Sequence, residues 1–144
     1  CSALGLLLLA AVPARRPLSQ RRHRFRVSSA MPGYAEAGWL SDQGPYGLLF
    51  HTNRERDPWV EIDLDGEQVF ESIWIQNRLD CCRERAVPLV CEIAGPDRVF
   101  REIARTDEVF ETWTVQNPGA LSAVFVRLRV DAVSMLHLAE VAVR

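Results

Sequence analysis

From about residue 27, apolar residues in this chain come in short runs separated by turns. "WVEIDL" (59–64) alternates, placing Trp59, Glu61 and Asp63 on one face and Val60, Ile62 and Leu64 on the other. "DGEQ" (65–68) has turn composition, and "VFESIWIQN" (69–77) follows as a strand. "VPLVCEIAG" (87–95) is strand-like and ends on a Gly-Pro-Asp break. "TWTVQ" (112–116), "AVFVRLRV" (123–130) and "LHLAEVAVR" (136–144) extend the series, while "RVFREIAR" (98–105) fits a strand or a helix. Seven or more short segments rich in Val, Ile, Phe and Trp, with no long amphipathic helix, predict an antiparallel β-sandwich or barrel. In such folds the strands are committed to packing and function falls to the loops at one end.

The first 29 residues break this texture. "CSALGLLLLAAV" is apolar but too short to cross a bilayer, which takes about 20 residues. The chain opens on Cys1 rather than Met, so this segment reads as the end of a longer one. An apolar stretch followed by clustered arginines reads as a membrane anchor with its flank, with a signal-peptide remnant or a disordered tail as the alternative. The expected division is an apolar segment over 1–14, an Arg-rich linker over 15–29 and a β-sandwich over 30–144.

Composition sharpens this picture in two ways. All 17 basic residues are arginine, the bias of a GC-rich, bacterial-type genome. Six of them lie between Arg15 and Arg26, and no acid precedes Glu36. That leaves 11 arginines against 19 acids, a formal charge of −8 over 27–144, which argues against nucleic acid as a partner of the domain. At 144 residues the chain can bury a core without needing disulfides to fold.

Candidate chemistry concentrates in "RLDCCRER" (78–85). Adjacent cysteines are poorly placed to chelate one metal ion, and neither Cys1 nor Cys91 supplies a complementary pair. Thioredoxin-like redox work wants C-x-x-C beside a βαβ unit, which this pattern lacks. Cys81 and Cys82 can close on each other into a small ring or stand as two reduced thiols in a turn. Arg78 and Asp80 are two apart, so a continuing strand sends both to one side, with Arg85 across the corner. Guanidinium forks suit paired oxygens such as neighbouring sugar hydroxyls, and an apolar ledge beside fixed donors suits a small sugar. No nucleophile motif, phosphate-cradling glycine loop or second carboxylate set for glycoside hydrolysis is present, so a binding protein is expected rather than an enzyme.

The spacing of these residues resembles a known family. His51 is followed after 26 residues by Arg78, then Asp80, and after four more by Arg85, with Cys81 and Cys82 inside the last gap. This is similar to the pattern of the F-type lectins (fucolectins), a branch of the discoidin-like, coagulation-factor type C domains. "HTNRERDPWVEIDL" (51–64) resembles that family's opening strand, and "AVFVRLRV" and "LHLAEVAV" resemble its closing ones; the resemblance covers 27–144. It implies an all-β jelly-roll β-sandwich of the galactose-binding, discoidin type that binds L-fucose or a fucosylated glycan at one end. His51, Arg78 and Arg85 would bond the sugar, a Cys81–Cys82 disulfide would pack on its apolar edge, and Asp80 would hold the arginines. Tyr46, in the loop before His51, would add an aromatic wall.

The departures from the family set further expectations. Relatives often hold a structural calcium, yet here the upstream loop offers Asp42 alone, with Glu140 at the C-terminal acidic position and Ala139 where a cysteine usually precedes it. Calcium is therefore the only cofactor suggested, through Asp42 and Glu140. Cys91 reads as a buried free thiol, and Arg83 takes a position usually small or polar. A disulfide needs an oxidising compartment, whereas arginines beside an anchor favour the cytoplasmic side. A membrane-anchored protein of the cell envelope is expected with its side open, and clustering or oligomerisation would supply avidity. The alternative is a discoidin-type adhesion or lipid- or protein-binding accessory domain without sugar binding.

Overall fold

The computed structural model describes residues 16–144. Twelve strands form it: β1 (Arg24–Val27), β2 (Ala37–Trp39), β3 (Phe50–His51), β4 (Glu55–Arg56), β5 (Trp59–Val69), β6 (Ser72–Asn77), β7 (Leu89–Ala94), β8 (Arg101–Thr106), β9 (Thr112–Gln116), β10 (Ser122–Val130), β11 (Val133–Ser134) and β12 (His137–Val143). A six-stranded sheet runs β2-β1-β5-β10-β7-β8, a four-stranded sheet runs β3-β12-β6-β9, and β4 pairs with β11. All pairings are antiparallel. This is the expected jelly-roll β-sandwich of the discoidin type.

The core lies between the two sheets. Val60, Ile62, Leu64, Val126 and Leu128 of the larger sheet meet Ile73, Ile75, Leu138, Val141 and Val143 of the smaller. Each alternates with outward neighbours, which is why a period-two sequence packs here as a pleated layer. Cys91 is buried among them as a free thiol, and burial pushes its pKa far up, so it is an inert apolar filler.

Two sequence readings need correction, and one left open is settled. The Arg-rich stretch expected as a linker to Ser29 enters the fold at Arg24, because Phe25 and Val27 turn into the core while Arg24 and Arg26 face outward. "DGEQ" is not the turn between strands. Asp63 pairs with Phe125 and Gln68 with Ala123, so the extra residues bulge out within β5. Asp65 and Gly66 take positive φ there (57° and 101°), and the Asp65 N–H donates to the Asp63 carboxylate at 2.8 Å. The chain instead changes sheets between Val69 and Ser72. "RVFREIAR" resolves as an edge strand, β8, paired with β7.

The outer face of the large sheet absorbs many arginines. Glu61, on the polar face of β5, is buried beneath Arg26 and Arg98, and Glu92 accepts from Arg127 and Arg129. Arg22 and Arg24 stack on Trp39 at 4.0 and 4.4 Å from the ring centre. The expected apolar segment over 1–14 lies outside the described residues. Among those described, no helix is long and apolar enough to cross a membrane.

Candidate functional site

The smaller sheet ends in the residues that the sequence singles out. β3 carries His51, and its register pairs His51 with His137 of β12. β6 ends at Asn77, and the loop after it carries Arg78, Asp80, Cys81 and Cys82 before a 3-10 turn over Arg83–Ala86 holds Arg85. The guanidinium charges of Arg78 and Arg85 both act on His51, so residues 27 and 34 positions apart in sequence share one corner.

Asn77 builds that corner. Its side chain is fully buried; the Nδ2 group donates to the carbonyls of Arg83 and Phe110, and Oδ1 accepts from the Arg78 N–H at 2.8 Å. The loop from 78 to 83 is thus tied at both ends to one amide. Cys81 and Cys82 form a disulfide within it, and Cys82 takes φ +65°, turning the chain into the 3-10 helix. The pair is the ring of adjacent cysteines, not two free thiols. Ser134 Oγ donates to the Arg85 carbonyl at 2.7 Å, pinning the other end of the turn.

Asp80 takes Arg78 in a two-pronged pair, Nε to Oδ1 at 2.7 Å and NH2 to Oδ2 at 3.0 Å. That contact holds the Asp80 carboxyl well below the usual carboxylate range and raises the Arg78 pKa. Arg78 is largely covered, so the pair fixes its fork and leaves NH1 outside the carboxylate contact. The expectation that Asp80 holds both arginines is not met. Arg85 has no carboxylate partner among the described residues; its NH1 lies 3.8 Å from the Met135 sulfur, so no carboxylate occupies its donors. Arg83 turns outward to Glu111 at 3.3 Å and serves the rim.

The His51 ring is buried, and its Nδ1 faces the Thr52 carbonyl at 2.9 Å. A carbonyl only accepts, so Nδ1 carries the hydrogen and Nε2 presents a lone pair. Burial lowers the His51 pKa, and the charges of Arg78 and Arg85 lower it further. The neutral ring therefore offers an acceptor beside two guanidinium donors, a set matched to vicinal hydroxyls. His137 packs on it with ring centres 4.8 Å apart, fully buried and with neither nitrogen hydrogen-bonded.

The aromatic residue beside His51 is Tyr34, at 5.3 Å between ring centres. Tyr46 stands 87% exposed at positive φ, and no contact ties it to His51, Arg78 or Arg85. Sequence reasoning missed Tyr34, which lies 17 residues from His51 in a loop with no motif. It also missed Asn77, His137 and Met135; the location of His137 in the closing strand was the only available signal. For calcium, the Asp42 carboxylate is taken by the Trp39 N–H at 2.9 Å, and Glu140 stands exposed on β12. No group of three or more acidic, His or Cys side chains placed to hold a metal occurs among the described residues, so these donors do not fit the expected ion.

Hollows on other parts of the described surface include one of about 230 Å³ over Glu61 and Phe125 on the large sheet. A shelf with fixed donors, one acceptor and a disulfide bump suits a ligand held by one edge.

No family model matches the chain. In sequence it is 28% identical to Fucolectin-1 of Anguilla japonica, over 79% of this chain and 67% of that protein. It is 38% identical to Fucolectin-5 of the same species over 39% of this chain, a match spanning 30% of the relative. Among solved structures, a fucose-binding module of Streptococcus pneumoniae, SpX-3, superposes with a TM-score of 0.71 at 23% identity, covering 90% of this chain and 98% of the module. The lectin domain of Lectinolysin, solved with the Lewis B antigen, gives 0.70 at 22% identity, covering 92% of this chain and 98% of the domain. The fold is thus that of discoidin-like sugar-binding modules, and the resemblance to F-type lectins read from the motif is borne out by fucolectins among its sequence relatives. These relatives are lectins and binding modules by name, in keeping with a binding protein rather than an enzyme.

Proposed function

We propose that the chain is a carbohydrate-binding module that recognises L-fucose or a fucosylated glycan. The observation that carries this reading is the convergence of neutral His51, Arg78 and Arg85 on one shelf beside the Cys81–Cys82 disulfide. Arg78 and Arg85 donate to vicinal hydroxyls, His51 Nε2 accepts from a third, and the disulfide packs on the sugar's apolar edge. Two or three charge-assisted hydrogen bonds at about 1.5–3 kcal/mol each, less desolvation, give an affinity of about micromolar to millimolar.

Calorimetric titration of Arg78→Ala and Arg85→Ala tests it. Each change is expected to weaken L-fucose binding by about 10- to 100-fold with the fold intact by circular dichroism. Unchanged affinity in both variants would sink the mechanism. Exposed Tyr46 and Leu79 favour the second reading, an adhesion or accessory domain that docks through apolar loop tips. In that case both arginine variants retain partner binding and Tyr46→Ser loses it.

The apolar segment over 1–14 supports tethering at the cell envelope, and the disulfide supports the oxidising side. Tethering would cluster weak sites into useful avidity. Fractionation of cells making the full chain, with recovery in the soluble fraction, would overturn the tethering.

A further inference from the structure

Residues 16–26 hold five arginines and no acid, and the fold carries them into the β1–β2 edge of the large sheet. In β1 the register sets Arg24 between Trp39 of β2 and Asp63 of β5, and Arg26 between Ala37 and Glu61, so these side chains share the outer face. Arg26 is spent on Glu61 together with Arg98, and Arg21 on Asp65 at 3.8 Å. Arg16, Arg22 and Arg24 are exposed and have no carboxylate partner among the described residues. Arg22 and Arg24 stack on Trp39 instead, and the three line a hollow of about 290 Å³ with Asp63 and Asp65. The Asp63 carboxylate accepts the Asp65 N–H.

The chain enters the fold far from the sugar shelf. The 3-10 turn over Leu18–Gln20 packs on β12, and Leu18 lines a small hollow with Val141 and Val143. β12 begins at the shelf with His137, and Val143 lies six residues on, about 20 Å away. Along β1, Arg24 likewise lies beyond Val27 and away from the loop whose Met31 N–H meets the His51 carbonyl. In sequence the apolar run over 1–14 directly precedes these arginines. The rest of the domain is acidic, −8 over 27–144, so a negative surface repels its bulk and attracts this face.

Resting on the tethering proposed above, we infer that the face of Arg22, Arg24 and Trp39, with Arg16 upstream, docks on the anionic headgroups of a lipid bilayer and holds the shelf end away from it. Guanidinium forks bond phosphate oxygens in pairs, and tryptophan settles at the headgroup level. Arginines close to a membrane-bound segment stay within a Debye length of the lipid, where each is attracted. The docking surface is a sheet face and not the exposed loop residues Tyr46 and Leu79.

Co-sedimentation of the full chain with vesicles of phosphatidylcholine alone, and of phosphatidylcholine with roughly 30% phosphatidylglycerol, tests this. The anionic vesicles are expected to bind about 25-fold tighter or more, with the gain shrinking as salt rises. Arg22→Gln combined with Arg24→Gln should remove about 25-fold of that gain, and Asp63→Asn should add about fivefold; binding to neutral vesicles stays unchanged. Arg54→Gln, at an exposed arginine three residues from His51, should change nothing. Equal binding to both vesicles overturns the docking face, as does a gain that survives the double variant or falls as far with Arg54→Gln. Tighter binding to heparin than to anionic vesicles, lost in the double variant, would assign the face to an acidic polysaccharide and overturn the lipid reading. Failure to bind neutral vesicles overturns the tether alone, and the anionic gain still decides the face.

Discussion

His51 and His137 lie ring to ring at the shelf, yet they answer to acid differently. Burial and the two arginines keep His51 neutral below the ordinary imidazole pKa of about 6.5. Acceptance by Nε2 needs that neutral form, so fucose affinity should hold as pH falls through 6.5 and weaken only at lower pH. Titrations from pH 7.5 to 5 check this, and a loss centred at or above 6.5 would contradict it. His137 acts on stability instead. Burial first, and then His51, lower its pKa to about 4. Below pH 6.5 the unfolded chain takes up a proton there that the folded chain refuses. Stability should therefore fall between pH 6.5 and 4, by up to about 3 kcal/mol from this residue. Urea unfolding of His137→Leu should show a flatter profile across that window, with no loss at pH 7, since neither ring nitrogen gives up a partner.

At the scale of elements, the end of β6 matters more than its length. Asn77 spends its amide on two carbonyls and its oxygen on the Arg78 N–H, joining strand, disulfide loop and the chain before β9. Asn77→Ala would leave those buried groups unpaired, costing about 2–4 kcal/mol and loosening the Arg78 fork. Thermal unfolding should show the lost stability, and fucose affinity should drop even at temperatures where the variant is folded. Unchanged affinity in the folded variant would make Asn77 a stability residue alone. The β5 bulge shows a different rule at this scale. "DGEQ" has the composition of a turn, and Asp65 and Gly66 do take positive φ, but pairing with β10 before and after it keeps the chain in the sheet.

For the molecule as a whole, the sandwich begins earlier than composition suggests. Phe25 and Val27 are buried in the core, each side chain contributing about 1.5–3 kcal/mol, and β1 joins β2 to β5. A chain beginning at Ala30 should unfold at a clearly lower temperature than one beginning at Arg16, or fail to fold. Equal melting temperatures would show β1 to be dispensable. The arrangement also explains why the shelf sits at one end: β3, the loop after β6 and the chain before β12 all meet there, while the sheet faces are spent on packing and on the arginine pairs of Glu61 and Glu92.

Much of this was legible in the residues alone. Alternation in β5, and short runs rich in Val, Ile, Phe and Trp between turns elsewhere, are local properties, so β5, β6, β7, β9, β10 and β12 could be read directly. The spacing from His51 through Arg85 pointed to the shelf because it reflects a fixed strand-and-loop path. What the residues could not reveal were contacts between distant segments. Tyr34 rather than Tyr46 faces His51 because the loop from Met31 to Tyr34 is hydrogen-bonded to β3, whereas Tyr46 projects from a turn closed on itself. Asp80 serves Arg78 alone because the disulfide turn carries Arg85 toward Met135. His137 meets His51 through the register of β12 on β3, and the Asp42 carboxylate closes a turn with the Trp39 N–H. Periodicity along the chain is set by local backbone geometry; partnership across it is set by strand register and loop packing, and these exist only once the sheets have closed.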